Sequence, residues 1–100
     1  MYNILVCDDD KDIVNAIEVY LVNENYHVIK AYDGEQAIKI IDGNEIHLVI
    51  LDIMMPKLDG LVATVRIRET NNIPIILLSA KSEDTDKIAG LNFGADDYKK

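Results

Sequence analysis

The sequence predicts an α/β domain built on a doubly wound parallel sheet, and three observations carry that expectation. Ile4-Leu5-Val6-Cys7, Leu48-Val49-Ile50-Leu51 and Ile75-Ile76-Leu77-Leu78 are continuous apolar runs rather than alternating ones, as expected of strands covered on both faces. Strand starts near residues 4, 27, 48, 75 and 97 are separated by 23, 21, 27 and 22 residues, the pace of βαβ units. The segments between them keep helical spacing of apolar residues.

The elements follow in order. A first strand over Asn3–Cys7 leads to a helix over Lys11–Asn23, whose apolar face is read as Ile13, Ile17 and Leu21, with Val14 and Tyr20 beside it. A second strand spans His27–Ala31. Asp33-Gly34 then turns into a helix carrying Ala37, Ile38 and Ile41, with Asp42-Gly43 as its glycine stop. The third strand is expected over His47–Leu51. A loop holding Pro56 and Gly60 precedes a helix over Leu61–Glu69. Pro74 opens the fourth strand. Ser82 with Glu83-Asp84 caps a helix that ends near Asn92–Gly94, and Asp97-Tyr98 begins a fifth strand.

Composition narrows the function. One hundred residues make a single domain, and the 49% apolar and 28% charged content is that of an ordinary globular chain. Eighteen acidic residues against ten basic give a net charge of −8, which argues against direct contact with nucleic acid or an anionic membrane. No apolar run approaches a membrane span, and no secretory leader is read in the opening segment. A cytoplasmic setting is therefore expected. Cys7, the single cysteine, sits within a strand and reads as a small buried hydrophobe.

The chemistry gathers at one edge of the sheet. The first strand ends in Asp8-Asp9, the third in Asp52 and the fourth in Ser79. Ligands of parallel sheets sit beyond the carboxyl ends of the strands. Clustered carboxylates raise one another's pKa unless a cation neutralises them. The hard cation that suits few carboxylates and phosphate oxygens is Mg²⁺. With that ion present, Asp52 is a nucleophile suited to an activated phosphoryl group, and Ser79 a donor to a phosphoryl oxygen. Other residues carry plainer readings. Asp10 and Asp12 read as cap and first-turn acids of the first helix. Met54 and Met55 read as packing or loop residues. His27 and His47 read as surface residues, and Tyr20, Tyr26 and Tyr32 as structural ones.

Two other motifs fail on spacing. Asp8-Asp9-Asp10-Lys11-Asp12 alternates carboxylates as calcium loops do, but Ile13 occupies the glycine position and Glu18 falls one place early. A nucleotide-phosphate loop would need glycines after the first strand, where acids stand instead.

ILVCDDD, LVILDIMMPKLDG, IPIILLSAK and GADDY, in this order and at this spacing, resemble the receiver domain of bacterial two-component response regulators. The resemblance covers the whole chain. It implies a flavodoxin-like sheet of order 2-1-3-4-5, and phosphorylation of Asp52 from the phosphohistidine of a sensor histidine kinase. It also implies Mg²⁺ held by Asp8, Asp9, Asp52 and the backbone carbonyl of Met54. Ser79 and Tyr98 take the switch positions. Phosphate on Asp52 would draw Ser79 toward it and let Tyr98 turn inward, remodelling the fourth helix and fifth strand.

The family's Lys-Pro pair is expected three residues after the switch tyrosine, so Lys99 and Lys100 fall out of register and no phosphate-binding lysine is assigned. Residues 1–100 are accordingly expected to be a receiver truncated within its fifth strand and lacking its last helix, with the output domain elsewhere in a longer protein. The GADDY wording resembles the winged-helix transcription regulators. It implies a homodimer through the fourth helix and fifth strand of the intact protein, and DNA contact only through that output domain. Met54 and Lys81, two residues beyond Asp52 and Ser79, cannot orient a hydrolytic water, so slow autodephosphorylation is expected. The chain is thus read as a signalling switch, not a turnover enzyme. Two alternatives stay open: a haloacid-dehalogenase-like phosphatase with Asp8 as nucleophile and Asp10 as acid, and an unphosphorylated module for dimerisation.

Overall fold

Burial along the strands explains why they read as unbroken apolar runs. In β1 (Asn3–Cys7), Leu5 and Cys7 point into one core and Ile4 and Val6 into another. A strand covered on both faces has no position left for a polar side chain. The computed structural model describes residues 1–55 and 59–78, with the backbone of 97–99. After β1 come α1 (Lys11–Asn23), β2 (His27–Ala31), α2 (Gly34–Gly43), β3 (Leu48–Asp52), α3 (Gly60–Arg68), β4 (Ile75–Leu78) and β5 (Asp97–Lys99). All strand pairs are parallel and the order is β2-β1-β3-β4-β5, as expected. The helix expected to end near Asn92–Gly94, the loop at Pro56, the expected switch residue Ser79 and Lys81 lie outside the described residues.

The two faces are unequal. α2 and α3 press Ala37, Ile41, Ala63 and Ile67 onto Leu5, Val49, Leu51, Ile75 and Leu77, which form the larger core. On the opposite face α1 contributes Val14 and Leu21, with Ile17 half-buried beside them. The expected stripe was centred one flank away: Ile13 is 41% and Tyr20 66% exposed. At 100° per residue, positions 14, 17 and 21 share one stripe while 13 and 20 fall on its margin. Among the described residues α1 is the one helix on this face. Leu48, Ile50 and Ile76 there floor an open groove of about 710 Å³, rimmed by Tyr2, Tyr20, Tyr26 and His47.

Three local expectations change. The glycine stop of α2 does not form: Gly43 is the last helical residue, and extended Asn44 ends the helix, its Nδ2 donating to the Ile40 carbonyl at 2.9 Å. A side-chain donor thus satisfies a terminal carbonyl that a left-handed glycine would otherwise have served. β3 begins and ends one residue later than expected, which brings Asp52 into the ladder opposite Leu78. His47 is half-buried rather than a surface residue. Its Nδ1 accepts from the Asn3 N–H at 2.9 Å and its ring meets Tyr2 edge-on at 5.2 Å. Its own N–H donates to the Asn3 carbonyl at 2.9 Å, so it clamps the start of β1 instead of opening β3.

Candidate metal centre

Register alone brings the acids together. Cys7 pairs with Leu51 across β1 and β3, so the next residues, Asp8 and Asp52, leave neighbouring strands side by side. Asp8 and Asp52 are buried, and Asp9 is exposed at the mouth. One carboxylate oxygen from each of Asp8, Asp9 and Asp52 lies within 4.8 Å of the others. Among the described residues no ion pair reaches any of the three.

The electrostatics follow from that crowding. Burial, then repulsion from Asp8 and Asp9, pushes the Asp52 carboxyl up to about 6, against N–H groups of Met54 and Ile53 that stabilise its charge. Asp8 is also raised, chiefly by burial, with Asp9 and Asp10 adding to it. The Asp10 N–H, which donates to Asp8 Oδ1 at 2.9 Å, offsets part of this. A pocket of hard oxygen donors whose charge no cation among the described residues balances fits a small divalent ion. The donor set alone therefore suits Mg²⁺.

The neighbours hold this arrangement without joining it. Asp10 caps α1, its Oδ1 accepting from the Asp12 N–H at 2.9 Å and the Ile13 N–H at 3.4 Å. Asp12 is an exposed first-turn acid. Cys7 is buried, and burial together with Asp33, Asp8, Asp52 and Asp9 pushes its thiol up to about 12. It stays a protonated filler, donating to the Asp33 carbonyl at 3.2 Å against the Met55 sulfur at 3.5 Å. Met55 is buried in the larger core, whereas Met54 is 53% exposed at the lip. Of the two expected switch residues, Ser79 is outside the described residues, and the backbone of Tyr98 pairs with Leu77 in β5.

The sequence reading took Asp33 only as the turn into α2 and did not single out Thr64. Asp33 caps α2, accepting from the Gln36 N–H at 2.8 Å, and is buried close enough to raise Cys7. Thr64 is fully buried in α3 and its Oγ1 donates to the Gly60 carbonyl at 2.8 Å. An acid before a glycine at a helix start is a visible cap signal for Asp33. A threonine within a helix carries no comparable signal.

A family model described as the response regulator receiver domain matches residues 4–99. The chain belongs to this family. Regulatory protein VanR of Enterococcus faecium is 48% identical to this receiver over 95 residues, covering 95% of this chain and 41% of VanR. Transcriptional regulatory protein CpxR of Escherichia coli (strain K12) is 41% identical over 98 residues, covering 98% of this chain and 42% of CpxR. The receiver thus spans about two fifths of the length of these curated relatives. Response regulator TrrA of Thermotoga maritima, solved in complex with Mg²⁺ and BeF, superposes with a TM-score of 0.88 at 36% identity, covering 98% of this chain and 84% of that one. No described helix is long and apolar enough to cross a membrane.

Proposed function

We propose that this receiver takes a phosphoryl group onto Asp52 from the phosphohistidine of a sensor histidine kinase and thereby switches a transcription regulator. The observation that carries the reading is the convergence of Asp8, Asp9 and Asp52, with Asp52 the acid most perturbed toward protonation in the absence of a cation. Mg²⁺ would be held by Asp8, Asp9, Asp52 and the Met54 carbonyl, and supplies the charge neutralisation that lets carboxylates and a phosphoryl group share one pocket.

The protein's own residues do the rest. Asp52 presents a carboxylate oxygen as nucleophile; the P–N bond of phosphohistidine breaks, a P–O bond forms, and the imidazole leaves. The backbone N–H of Met54 favours the charged form of the Asp52 carboxylate, while the Ile53 N–H ties the same peptide to the Leu78 carbonyl at 3.0 Å. Burial of Asp8 and Asp52 limits water at the reacting oxygen. Ser79 then bonds a phosphoryl oxygen, Tyr98 turns inward, and the region of the fourth helix and fifth strand changes shape. In the intact regulator that same region is the dimer contact, and a separate output domain meets DNA. Residues 1–100 are one receiver domain of this longer cytoplasmic protein. The chain is a switch that modifies itself and has no turnover substrate; Met54 at the lip offers an arriving water no hydrogen-bond partner, which supports slow loss of phosphate.

The test is Mg²⁺-dependent labelling of the chain by a small acyl phosphate and trapping with beryllofluoride, comparing Asp52→Asn with Asp8→Asn. Labelling that Asp52→Asn abolishes supports the reading. Labelling that survives in Asp52→Asn but not in Asp8→Asn would instead indicate the phosphatase chemistry with Asp8 as nucleophile.

A further inference from the structure

We propose that Gly60 is a positioning residue for the phosphoacceptor, its missing side chain letting the first turn of α3 rest directly on the peptide unit that follows Asp52. The inference rests on Asp52 being the phosphoacceptor and adds a residue that sets where it stands.

The contact is between backbones. A Cβ built on Gly60 would lie 2.1 Å from the Asp52 carbonyl oxygen, 2.8 Å from the Asp52 carbonyl carbon and 2.8 Å from the Ile53 Cα. No side chain stands among these atoms, so nothing can swing aside; either the helix start or the Asp52–Ile53 peptide must move by about an ångström. Three bonds hold the seat. The Gly60 N–H donates to the Ile53 carbonyl at 2.9 Å. Asp59 caps the helix by accepting from the Val62 N–H at 2.9 Å. The buried Thr64 hydroxyl fastens the Gly60 carbonyl at 2.8 Å. The helix start thereby presses on the same stretch, Asp52 to Met54, that carries the carboxylate and the Met54 N–H favouring its charged form. A displacement there is transmitted to the carboxylate because the peptide that follows Asp52 is pinned between α3 and β4, its Ile53 N–H donating to the Leu78 carbonyl at 3.0 Å, so Asp52 at the end of β3 moves with it.

A misplacement of about 1 Å at a reacting group costs on the order of 10²-fold in rate. Gly60→Ala is therefore expected to slow Mg²⁺-dependent phosphoryl uptake from acetyl phosphate about 10²-fold in the folded fraction. Ile67→Val, which thins the buried face of α3 without touching the three bonds that seat Gly60, provides the comparison at lowered stability and is expected to label near the wild-type rate. If Gly60→Ala does not fold, the Asp59 pair takes its place. Asp59→Ala unseats Gly60 and is expected to slow uptake several-fold, whereas Asp59→Asn keeps the cap and restores the rate. Wild-type uptake rates in folded Gly60→Ala, or equal rates in Asp59→Ala and Asp59→Asn, overturn the role assigned to Gly60. A wild-type chain that labels no better than Asp52→Asn overturns the proposed function itself, and is told apart because the glycine variants then play no part.

Discussion

At the scale of single residues, the site is a set of charges that folding brings together against their own repulsion. Asp52 shows this most clearly: its carboxyl sits at about 6 instead of its ordinary 3.8 because burial and Asp8 both penalise the charge. Replacing it with Asn removes the penalty while keeping the shape. Asp52→Asn should therefore abolish phosphoryl uptake yet raise the stability of the metal-free chain at pH 7. The gain is expected to be about 1 kcal/mol, less than the full shift implies because the carboxylate still meets water at the mouth. Urea denaturation in EDTA measures it, and a loss of stability would contradict the electrostatic account. Met54 offers a second residue-level test. If its exposed thioether denies a hydrolytic water any partner, Met54→Asn should shorten the lifetime of the label by several-fold or more, read as release of inorganic phosphate over time.

At the scale of elements, the helix starts divide the acids into those that cap and those that face the pocket. Asp10 is committed to the first turn of α1 through the N–H groups of Asp12 and Ile13. Asp10→Ala should cost about 1 kcal/mol of stability, and Asp10→Asn much less, since either side chain can cap. Both should still accept phosphate on Asp52. Loss of labelling in Asp10→Asn would return Asp10 to the chemistry and favour the phosphatase reading. The elements also show how far a sequence pattern carries. The Asp33 and Asp59 caps sit beside glycines and mark their helices. The end of α2 did not follow its glycine, because Asn44 supplied the bond from a side chain. The α1 stripe was misjudged by one flank, because five apolar positions at helical spacing allow two centres and only the partner sheet selects between them.

At the scale of the whole molecule, one linked measurement joins the site to the fold. The folded chain binds a proton at Asp52 more tightly than the unfolded chain does, near 6 against 3.8. That contribution to stability is complete below about pH 3.8 and is lost as pH rises through about 6. In EDTA the chain should thus gain stability between pH 7.5 and pH 5, and Asp52→Asn should flatten that part of the profile. Mg²⁺ should raise the Tm at pH 7.5, where the carboxylates are ionised, and raise it little at pH 5, where protons compete for the same oxygens. Equal Mg²⁺ shifts at both pH values would point to screening of the overall charge of −8 instead of the pocket.

What the sequence determined by itself was the architecture and the edge at which the acids stand. Strands sealed on both faces must be apolar throughout, and the residue after each strand must emerge at the carboxyl end, so Asp8, Asp9 and Asp52 could be assigned to one rim by counting. What only the tertiary structure decided was contact. The pairing of Cys7 with Leu51 turned a shared rim into a group of oxygens within 4.8 Å. The Asn3 clamp half-buried His47. Gly60, which in the sequence is a turn former before a helix, proved to be the place where two backbones touch. Periodicity and chain direction are local properties that a sequence carries openly. Register between strands and the distance between backbones arise from packing across the sheet, and no single segment records them.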